Sequence, residues 1–377
     1  MRRLSYATGA SPDPPRTAPG RRAFTVRPYR PQDRAAASGL YQQSFPGKRD
    51  PAEWIWKFGH RLTDSDPSFH VAEVDGRLVG LYPTRAVRLQ IGASVRVAVQ
   101  CEDVCVHPEH RGVAIMRAMV RANEESLRRA RVALAFGFPT AAHLSFGSRF
   151  LGYAELFRLQ VWHRRLARGL RVQAKLRSDW ARRVAYTGGA LLQNLRALRQ
   201  PEMSDRTLRV AERRQFDVAT DGLWDRVRGR LRAAVVRDAA YLTWRYSARP
   251  GRAFRVLHAV RHGRLDGYCV FRDDLVRSDR VRAGALMDLV ATDRAAARAL
   301  LEAALARMRA ARCGYALALT HPAFETAPTL AAAGFAPEAA GETVSVCAKS
   351  YATDVDVNAL REPSDWLLGY GDTDHLG

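Results

Sequence analysis

The segment VHPEHRGVAIMRAM (Val106–Met119) joins two contrasting patterns of sequence. The residues before it, VQCEDVCV (Val99–Val106), are rich in valine and cysteine, as is typical of a buried strand. After Pro108 and the pair Arg111-Gly112, the chain takes on the Ala-, Met-, Arg- and Leu-rich composition of a long helix. Such a junction is either an ordinary strand-to-helix turn or a loop that binds phosphate at the start of a helix. The rest of the sequence has to distinguish the two.

The elements around this segment alternate between strand and helix patterns. Their predicted order, β-α-β-β-β-α-β-α-β, indicates an α/β fold of the α+β kind, in which helices pack on the faces of a mixed sheet. A turn at Asp75-Gly76 joins two of the strands. In chain order we predict strand 23–30, helix 31–45, a strand pair within 69–89, strand 94–106, a helix from 113 to about 130, strand 132–139, helix 140–150 and strand 154–162.

The net charge of +22 comes almost entirely from arginine, since lysine occurs only at positions 48, 57, 175 and 349. Such a charge indicates either a polyanionic partner or the arginine- and alanine-rich composition of a GC-rich genome, and we favour the second interpretation. The sequence contains no helix-turn-helix, zinc or RNP-like motif, so we expect no specific binding of nucleic acid.

The cysteines and the N-terminal residues indicate in which cellular compartment the protein is found. Five cysteines are an odd number, and they form no CxxC pair or Cys/His metal spacing, which predicts a reduced, cytoplasmic chain without a metal site. Residues 1–22 are basic and lack the apolar core of a signal peptide, so we expect a disordered tail. No stretch is long and apolar enough to span a bilayer.

Residues 163–205 differ in character from the sequence on either side. They are rich in arginine, follow a helical pattern broken by Gly188-Gly189, and end at Pro201. We interpret them as a helical linker, with a solvated connecting helix as the favoured form. Weak contact of residues 163–198 with a membrane surface is the alternative.

The second half of the chain repeats the first. The segment RDPAEWIWKF (49–58) aligns with RDAAYLTWRY (237–246), which places Trp56 and Trp244 at the same position of the repeat. Downstream, DGRLVG (75–80) matches HGRLDG (262–267) in nearly the same register. We therefore predict two copies of one fold, residues 23–162 and residues 206–350, called the first copy and the second copy below.

The first copy resembles the GNAT N-acetyltransferase superfamily. The resemblance rests on the strand ending EDVCVHPEHRG, the helix after it, and the FPT…FLGY pattern that closes the next helix, and it covers residues 23 to 160. It implies a GNAT acyltransferase domain that uses acetyl-CoA or another acyl-CoA as cosubstrate.

The loop has the chemistry that a pyrophosphate needs. A helix N-terminus offers unpaired backbone N–H groups and the positive end of the helix dipole. Gly112 lets the backbone approach the phosphates closely, and Arg111 adds charge. The phosphate-loop interpretation of the opening segment is therefore favoured. The residues expected around the pyrophosphate are Arg111, Gly112, Val113, Ala114, Ile115 and Met116.

The loop also departs from the family pattern. Ala114 and Met116 stand where the family has small residues, usually glycine or alanine. Alanine fits if its φ stays negative, as inside a helix. Met116 either narrows the cofactor groove or turns into the core.

The resemblance also assigns the reacting centre. The pantetheine arm would lie along Val104, Cys105 and Val106, whose backbone N–H groups could stabilise the oxyanion of the reaction. Glu102 and Asp103 are candidate bases, one on each face of the strand by alternation, and an ion pair with an arginine is an equally good interpretation of either. Ser148 stands where the family often has the tyrosine that protonates the leaving thiolate, and His143 is an alternative.

The second copy lacks this loop. Its segment GALMDLVATDRAAARALLEAAL (Gly284–Leu305) has no Arg–Gly pair, and Asp293 is expected to cap the helix in place of a phosphate. We expect a degenerate GNAT-like domain that helps to shape the acceptor cleft. Residues 351–377 are interpreted as a C-terminal tail, with a frayed terminus as the default and docking over the cleft as the alternative.

Together these features predict an acyltransferase that moves an acetyl or other acyl group from acyl-CoA to an amine of a small-molecule or sugar acceptor. The alternative is a non-catalytic acyl-CoA-binding or regulatory module. The sequence leaves the acceptor and the oligomeric state open.

Overall fold

The structure is a computed structural model, and it describes residues 23–45, 51–59, 69–167, 207–277, 280–338, 343–374 and 376. The predicted N-terminal tail (1–22) and nearly all of the predicted linker (163–205) lie outside the described residues, and with them the predicted membrane-surface contact. Residues 163–165 are not linker, because they end a long strand of the first copy. None of the described helices has the length and apolar character needed to cross a membrane.

The described residues of the first copy form eight strands and four α-helices. The strands are β1 (Thr25–Pro28), β2 (His70–Val74), β3 (Arg77–Tyr82), β4 (Thr84–Ile91), β5 (Ser94–Cys101), β6 (Cys105–Val106), β7 (Leu134–Gly137) and β8 (Ala154–Arg165). The helices are α1 (Arg34–Ser44), α2 (Pro51–Gly59), α3 (Val113–Arg129) and α4 (Ala141–Phe146), the last of which continues into a turn of π-helix at Gly147–Leu151.

The described residues of the second copy and of the predicted C-terminal tail (351–377) form nine more strands and four more α-helices. The strands are β9 (Leu208–Arg213), β10 (Ala233–Val235), β11 (Arg255–Arg261), β12 (Arg264–Val276), β13 (Arg282–Ala291), β14 (Tyr315–Thr320), β15 (Ala336–Pro337), β16 (Thr343–Ser350) and β17 (Trp366–Leu367). The helices are α5 (Val218–Val227), α6 (Ala239–Leu242), α7 (Arg294–Ala310) and α8 (Ala327–Ala332).

The strands form two sheets that separate within the first copy. A small sheet has the order β1-β2-β3-β6, and a 13-stranded sheet runs β17-β10-β4-β5-β7-β16-β8-β14-β13-β12-β11-β9, with β15 beside β8. The chain passes from one sheet to the other at Pro83, between β3 and β4, and again at residues 102–104, between β5 and β6. Proline cannot donate a ladder hydrogen bond, so Pro83 suits such a break.

The break at 102–104 corrects the expectation of one continuous strand over 94–106. Asp103 adopts a left-handed backbone conformation with φ of 54°, and Glu102 N–H donates to the carbonyl of Pro83 at 3.3 Å. Strand alternation therefore does not apply to Glu102 and Asp103, and the prediction that they lie on opposite faces of a strand is wrong. The second copy has no equivalent break within β13.

Backbone details confirm the duplication. The hairpin turns of the two copies have the same left-handed geometry, with φ of 49° and 73° at Asp75 and Gly76 and 49° and 78° at His262 and Gly263. A bulge follows Ala72 in one hairpin and Ala259 in the other. Helices α3 and α7 have 17 residues each. The sequence thus predicted two copies of one mixed α/β fold correctly.

The last strands of the copies are exchanged. β16 of the second copy inserts between β7 and β8, where Cys347 pairs with both Gly137 and Glu155. β8 of the first copy in turn pairs with β14 of the second, with Val161 opposite Leu319. The large sheet is therefore continuous across the duplication. One hydrophobic cluster also spans it, from Trp56 and Leu134 to Trp244 and Leu317.

The described residues of the predicted C-terminal tail (351–377) are not frayed. β17 pairs in parallel with β10, and Trp366 and Tyr370 are each only 1% exposed. The indole N–H of Trp366 donates to the carbonyl of Leu360 at 2.9 Å. Burial of two large aromatic side chains accounts for this docking.

Candidate active site

Helix α3 begins with an open N-terminus. Gly112 occupies the N-cap position, where it has no side chain to accept from the N–H groups of the first turn, and that turn contains no acidic residue. Arg111, Val113 and Ala114 are exposed, and a Cβ atom at Gly112 would have no neighbour within 4 Å. The first-turn N–H groups and the positive end of the helix dipole therefore face free space beside an arginine.

The equivalent helix of the second copy is closed by its own side chain. Asp293 is the N-cap of α7, and its carboxylate accepts from the N–H of Ala296 at 2.8 Å. The same carboxylate forms an ion pair with Arg261 at 2.7 Å. The expectation that Asp293 caps this helix is confirmed.

A gap opens beside the start of α3. β5 and β7 pair in parallel only over Ala98–Gln100 and Leu134–Phe136, after which the chain of β5 turns away into the small sheet. We call the gap between residues 102–106 and 137–138 the first wedge. Val104, Cys105 and Val106, the predicted pantetheine-binding residues, form its edge.

Cys105 is a packed core residue. Its side chain is buried, and burial raises the pKa of its thiol to about 11. A thiol with so high a pKa is a poor nucleophile at neutral pH, so Cys105 acts as a core residue rather than as a nucleophile.

The two candidate bases meet at one lysine. Nζ of Lys57, on α2, lies 2.8 Å from a carboxylate oxygen of Glu102 and 2.8 Å from one of Asp103, and it also contacts Asp374. Glu102 forms a second ion pair with Arg85 at 2.9 Å. Glu102 thus forms the ion pair with an arginine that the alternative interpretation expected, whereas Asp103 pairs with Lys57, a partner that the sequence did not predict.

These charges determine the acidity of Glu102. Burial alone would raise the pKa of its carboxyl, but the charges of Arg85 and Lys57 outweigh burial and hold the pKa below its usual value. A carboxylate so stabilised is a weak proton acceptor, which weakens the case for Glu102 as a base.

The described contacts of the two candidate acids, Ser148 and His143, do not position either side chain to protonate the leaving thiolate. Ser148 is exposed on the π-helical turn after α4. His143 belongs to the cap of α4, where its Nδ1 lies 2.9 Å from Oγ1 of Thr140 and its N–H donates to the same oxygen. A capping role explains His143 without catalysis.

Met116 turns toward the core. It is partly buried and packs against the cluster that holds Ile115, Met119 and Val120 under the small sheet. Of the two alternatives for Met116, the geometry favours core packing over a narrowed groove. Ala114 lies within α3, where φ is negative, as the sequence analysis required.

His107, Glu109 and His110 form a possible cation site just before the loop, although the sequence analysis predicted no metal. Their ligand atoms lie within 4.8 Å of one another. Nδ1 of His107 already accepts from the N–H of Glu109 at 3.3 Å, so this nitrogen has a structural role in the turn.

An open helix N-terminus beside a splayed pair of parallel strands, in a mixed sheet, is the arrangement of the GNAT fold. Residues 25–154 match the family model described as Acetyltransferase (GNAT) domain. This match covers most of the first copy and shows that the first copy is similar to GNAT acetyltransferase domains. No curated protein matches its sequence.

Solved structures share the fold over most of the chain. A probable N-acyltransferase from Enterococcus faecalis V583 is 12% identical with a TM-score of 0.61, covering 87% of this chain and 72% of its own. A GCN5-related N-acetyltransferase from Anabaena variabilis is 11% identical with a TM-score of 0.61, covering 88% and 73%. The N-myristoyltransferase of Saccharomyces cerevisiae with bound myristoyl-CoA is 12% identical with a TM-score of 0.54, covering 94% of both chains. At these identities the likeness is one of fold.

Lys57 is the residue of this site that sequence reasoning missed. A signal for it existed, because Lys57 is one of four lysines in a chain of 60 basic residues. It also stands where the repeat has Arg245, in the same motif as the paired tryptophans. Its compact ammonium group can contact several carboxylates at a single point, which the planar guanidinium of an arginine does less readily.

Proposed function

We propose that the first copy binds one acyl-CoA at the N-terminus of α3 and transfers its acetyl or other acyl group to an amine of a small-molecule or sugar acceptor. The observation that carries this proposal is the contrast between two helices of one chain. Gly112 leaves the first-turn N–H groups of α3 uncapped, whereas Asp293 occupies those of α7. A carboxylate there competes for the N–H groups that a phosphate would use and repels it.

The loop residues have separate roles in this proposal. The backbone from Gly112 to Met116 cradles the pyrophosphate, and Arg111 adds a positive charge. The pantetheine arm lies in the first wedge along Val104, Cys105 and Val106.

The chemistry is direct acyl transfer. The amine lone pair attacks the thioester carbonyl carbon, the new C–N bond forms, the C–S bond breaks, and the thiolate leaves. His107 N–H donates to the carbonyl of Val79 at 2.8 Å, so the preceding N–H, that of Val106, points to the opposite edge of the strand, into the first wedge. This N–H is our candidate for stabilising the oxyanion.

Acyl transfer also requires that the amine lose a proton and that the thiolate be able to leave. We propose Asp103 and Glu102 as the candidate bases. The charges of Arg85 and Lys57 lower the pKa of Glu102, which makes this carboxylate a weak proton acceptor. Ser148 can hold a water near the leaving group, and a thiolate needs little assistance to leave near neutral pH.

The domain limits and the cellular location are also part of the proposal. We propose residues 23–162 as the catalytic copy and 206–350 as the degenerate copy that shapes the acceptor cleft. All five cysteines are free thiols and four of them are buried, which suits a reducing compartment such as the cytoplasm.

Titration tests the cofactor site. Calorimetry with acetyl-CoA should saturate at one equivalent per chain, and Arg111→Ala should weaken that event by tenfold or so, equivalent to about 1.4 kcal/mol. Arg294→Ala is the matched control, since Arg294 is the exposed first residue of α7 and should leave the affinity unchanged. Two equivalents, or equal effects of the two substitutions, would refute the assignment.

The runner-up function is a non-catalytic acyl-CoA-binding module. One observation favours it: both candidate bases are already paired with Lys57. Release of free CoA from acetyl-CoA, measured with a thiol reagent in the presence of a panel of amines, separates the two functions. Stoichiometric binding without any amine-dependent release would establish the binding module.

A further inference from the structure

The C-terminal segment Trp366–Asp374 runs through the junction of the two copies. Its first residues join the large sheet through β17, and Asp372 is 2% exposed and forms an ion pair with Arg237 at 2.8 Å. Arg237 in turn holds Asp288 of β13 at 3.0 Å. A terminal segment with a buried, paired carboxylate is fixed in one place, because displacing it would leave Arg237 without one of its two carboxylate partners.

This segment fills a gap in the second copy. β13 and β14 pair in parallel only from Ala283 and Tyr315 to Leu286 and Ala318. Beyond them the strands diverge, and we call the space between Met287 of β13 and Leu319 of β14 the second wedge. Residues 367–369 of the C-terminal segment lie in this space and leave only a small cavity there.

The backbone of the C-terminal segment lies unusually close to β13. A Cβ atom added at Gly369 would lie 3.2 Å from the carbonyl oxygen of Met287, and one added at Gly371 would lie 2.8 Å from the same oxygen and would overlap the hydroxyl of Tyr246. Only glycine fits at residue 371 without movement of its neighbours. The segment is thus adapted to lie directly on β13.

The second wedge lies at the same place in the second copy as the first wedge does in the first copy. In the first copy Ala98 pairs with Leu134, and in the second Ala283 pairs with Tyr315. Counting from these pairs, Met287 of the second copy takes the place of Glu102 of the first. The chain's own C-terminal segment therefore lies where, by the proposed function, the first copy receives the pantetheine arm of acyl-CoA.

The end of the segment reaches the candidate active site. The carbonyl of Asp372 accepts from Nε2 of Gln100 at 3.1 Å, near the end of β5. Two residues later, Asp374 contacts Nζ of Lys57, the amine that also holds Glu102 and Asp103. Lys57 is completely buried, and Asp374 contributes one of its three carboxylate partners.

We propose that the C-terminal segment is a built-in ligand of the second wedge, and that through it Asp374 serves as a positioning residue for acyl transfer by holding Lys57 against Glu102 and Asp103. The role in acyl transfer rests on the proposed function, whereas the occupancy of the second wedge does not. The segment explains why one copy of the repeat binds acyl-CoA and the other has become a support: the second wedge is filled by the chain itself.

Substitutions of Asp374 and of Gly371, each with a control variant, separate the two parts of this proposal. Asp374→Asn removes the charge and keeps the shape, and Asp374→Glu restores the charge. Gly371→Ala forces the segment away from Met287 and Tyr246, and Gly229→Ala is its matched control, because a Cβ atom at Gly229 meets nothing within 4 Å.

The kinetic expectation is specific. Asp374→Asn should lower kcat for amine-dependent CoA release by about tenfold or more, because a displaced reacting group slows catalysis steeply, while calorimetric affinity for acetyl-CoA stays within about twofold. Asp374→Glu should recover most of the loss. A kcat unchanged in Asp374→Asn, or an equal loss in kcat and in acetyl-CoA affinity, would overturn the positioning role.

A labelling experiment tests the wedge without any activity. An amine-acylating reagent followed by peptide mass spectrometry should leave Lys57 protected in the wild type and in Gly229→Ala, and should label it at least about tenfold faster in Gly371→Ala, where the covering segment is displaced. Lys349, held by Glu124 and the carbonyl of Leu151, is the internal standard for a folded chain. Protection of Lys57 in a folded Gly371→Ala variant would overturn the wedge assignment. If the wild type neither binds acetyl-CoA nor releases CoA, the proposed function and the positioning role fail together, and the labelling result still decides the occupancy of the second wedge.

Discussion

Trp56 and Trp244 stack on each other and exchange hydrogen bonds across the junction of the two copies. Their ring centroids are 4.7 Å apart with an interplanar angle of 14°. The indole N–H of Trp56 donates to the carbonyl of Trp244 at 2.8 Å, and that of Trp244 donates to the carbonyl of Trp56 at 3.3 Å. Such reciprocity is the signature of a two-fold relationship, here between two halves of one chain.

Substitutions of the two stacked tryptophans should lower the free energy of unfolding in a defined order. Trp56→Phe and Trp244→Phe each keep an aromatic ring but leave a buried carbonyl without its donor, which should lower the free energy of unfolding by about 1 to 3 kcal/mol. Trp56→Phe should cost more, because its hydrogen bond is the shorter. Trp54→Phe is the control, since Nε1 of Trp54 is buried without a partner among the described residues. Denaturant unfolding measures all three, and a control as damaging as the paired positions would contradict this account.

Gly112→Asp should convert the first loop into a copy of the second. The new carboxylate can cap α3 as Asp293 caps α7, so the fold should be retained or slightly stabilised. The same carboxylate should reduce acetyl-CoA affinity by at least tenfold, or about 1.4 kcal/mol. Gly229→Asp introduces the same charge at another open glycine and should leave calorimetric affinity unaltered. Unchanged affinity in Gly112→Asp would remove α3 from the cofactor site.

Asp293 should make stability depend on pH. The hydrogen bond and charge of Arg261, with the N–H of Ala296, hold the pKa of this carboxyl below its usual value. A group whose pKa is lowered by folding stabilises the protein above its unfolded-state pKa, about 3.9, and that contribution is lost as the pH falls through the folded-state pKa. Asp293→Asn keeps a capping side chain and loses the charge. The stability gap between wild type and Asp293→Asn should therefore shrink as unfolding is measured from pH 7 toward pH 3, and a gap that widens would contradict the ion pair.

Met116→Gly should separate packing from cofactor binding. Met116 packs into the cluster under the small sheet, so its loss should lower stability by roughly 2 kcal/mol, from helix propensity and lost contacts together. Acetyl-CoA affinity should not rise, because the side chain does not narrow the groove. Met116→Leu is the volume-conserving control and should be close to wild type. A clear gain in affinity for Met116→Gly would show that the methionine faces the cofactor after all.

The sequence predicted those parts of the structure that are encoded locally. The hairpin at Asp75-Gly76, the helix after Gly112 and the repeat around Trp56 and Trp244 all depend on neighbouring residues, and all are present. The break at Glu102–Val104 was missed because the run of apolar residues on both sides of it has the period of a single strand.

Long-range relationships were beyond the sequence. Nothing in the composition of β16 indicates that it pairs with β7 rather than with a strand of its own copy. The contact of Lys57 with Asp374 joins residues 317 positions apart, and a short polar terminus normally frays. The candidate bases were found by pattern, but their shared lysine required the fold.

The exchange of β8 and β16 has a consequence for how the protein is made. On the ribosome, the first copy is synthesised before the strand that flanks its β7, since β16 begins only at Thr343. Until then β7 has an open edge, which is the kind of surface that pairs wrongly with other chains. The first copy can therefore be completed only after β16 has emerged, so a nascent chain, or one that ends before Thr343, should need chaperone protection, and the first copy alone is a poor unit for expression.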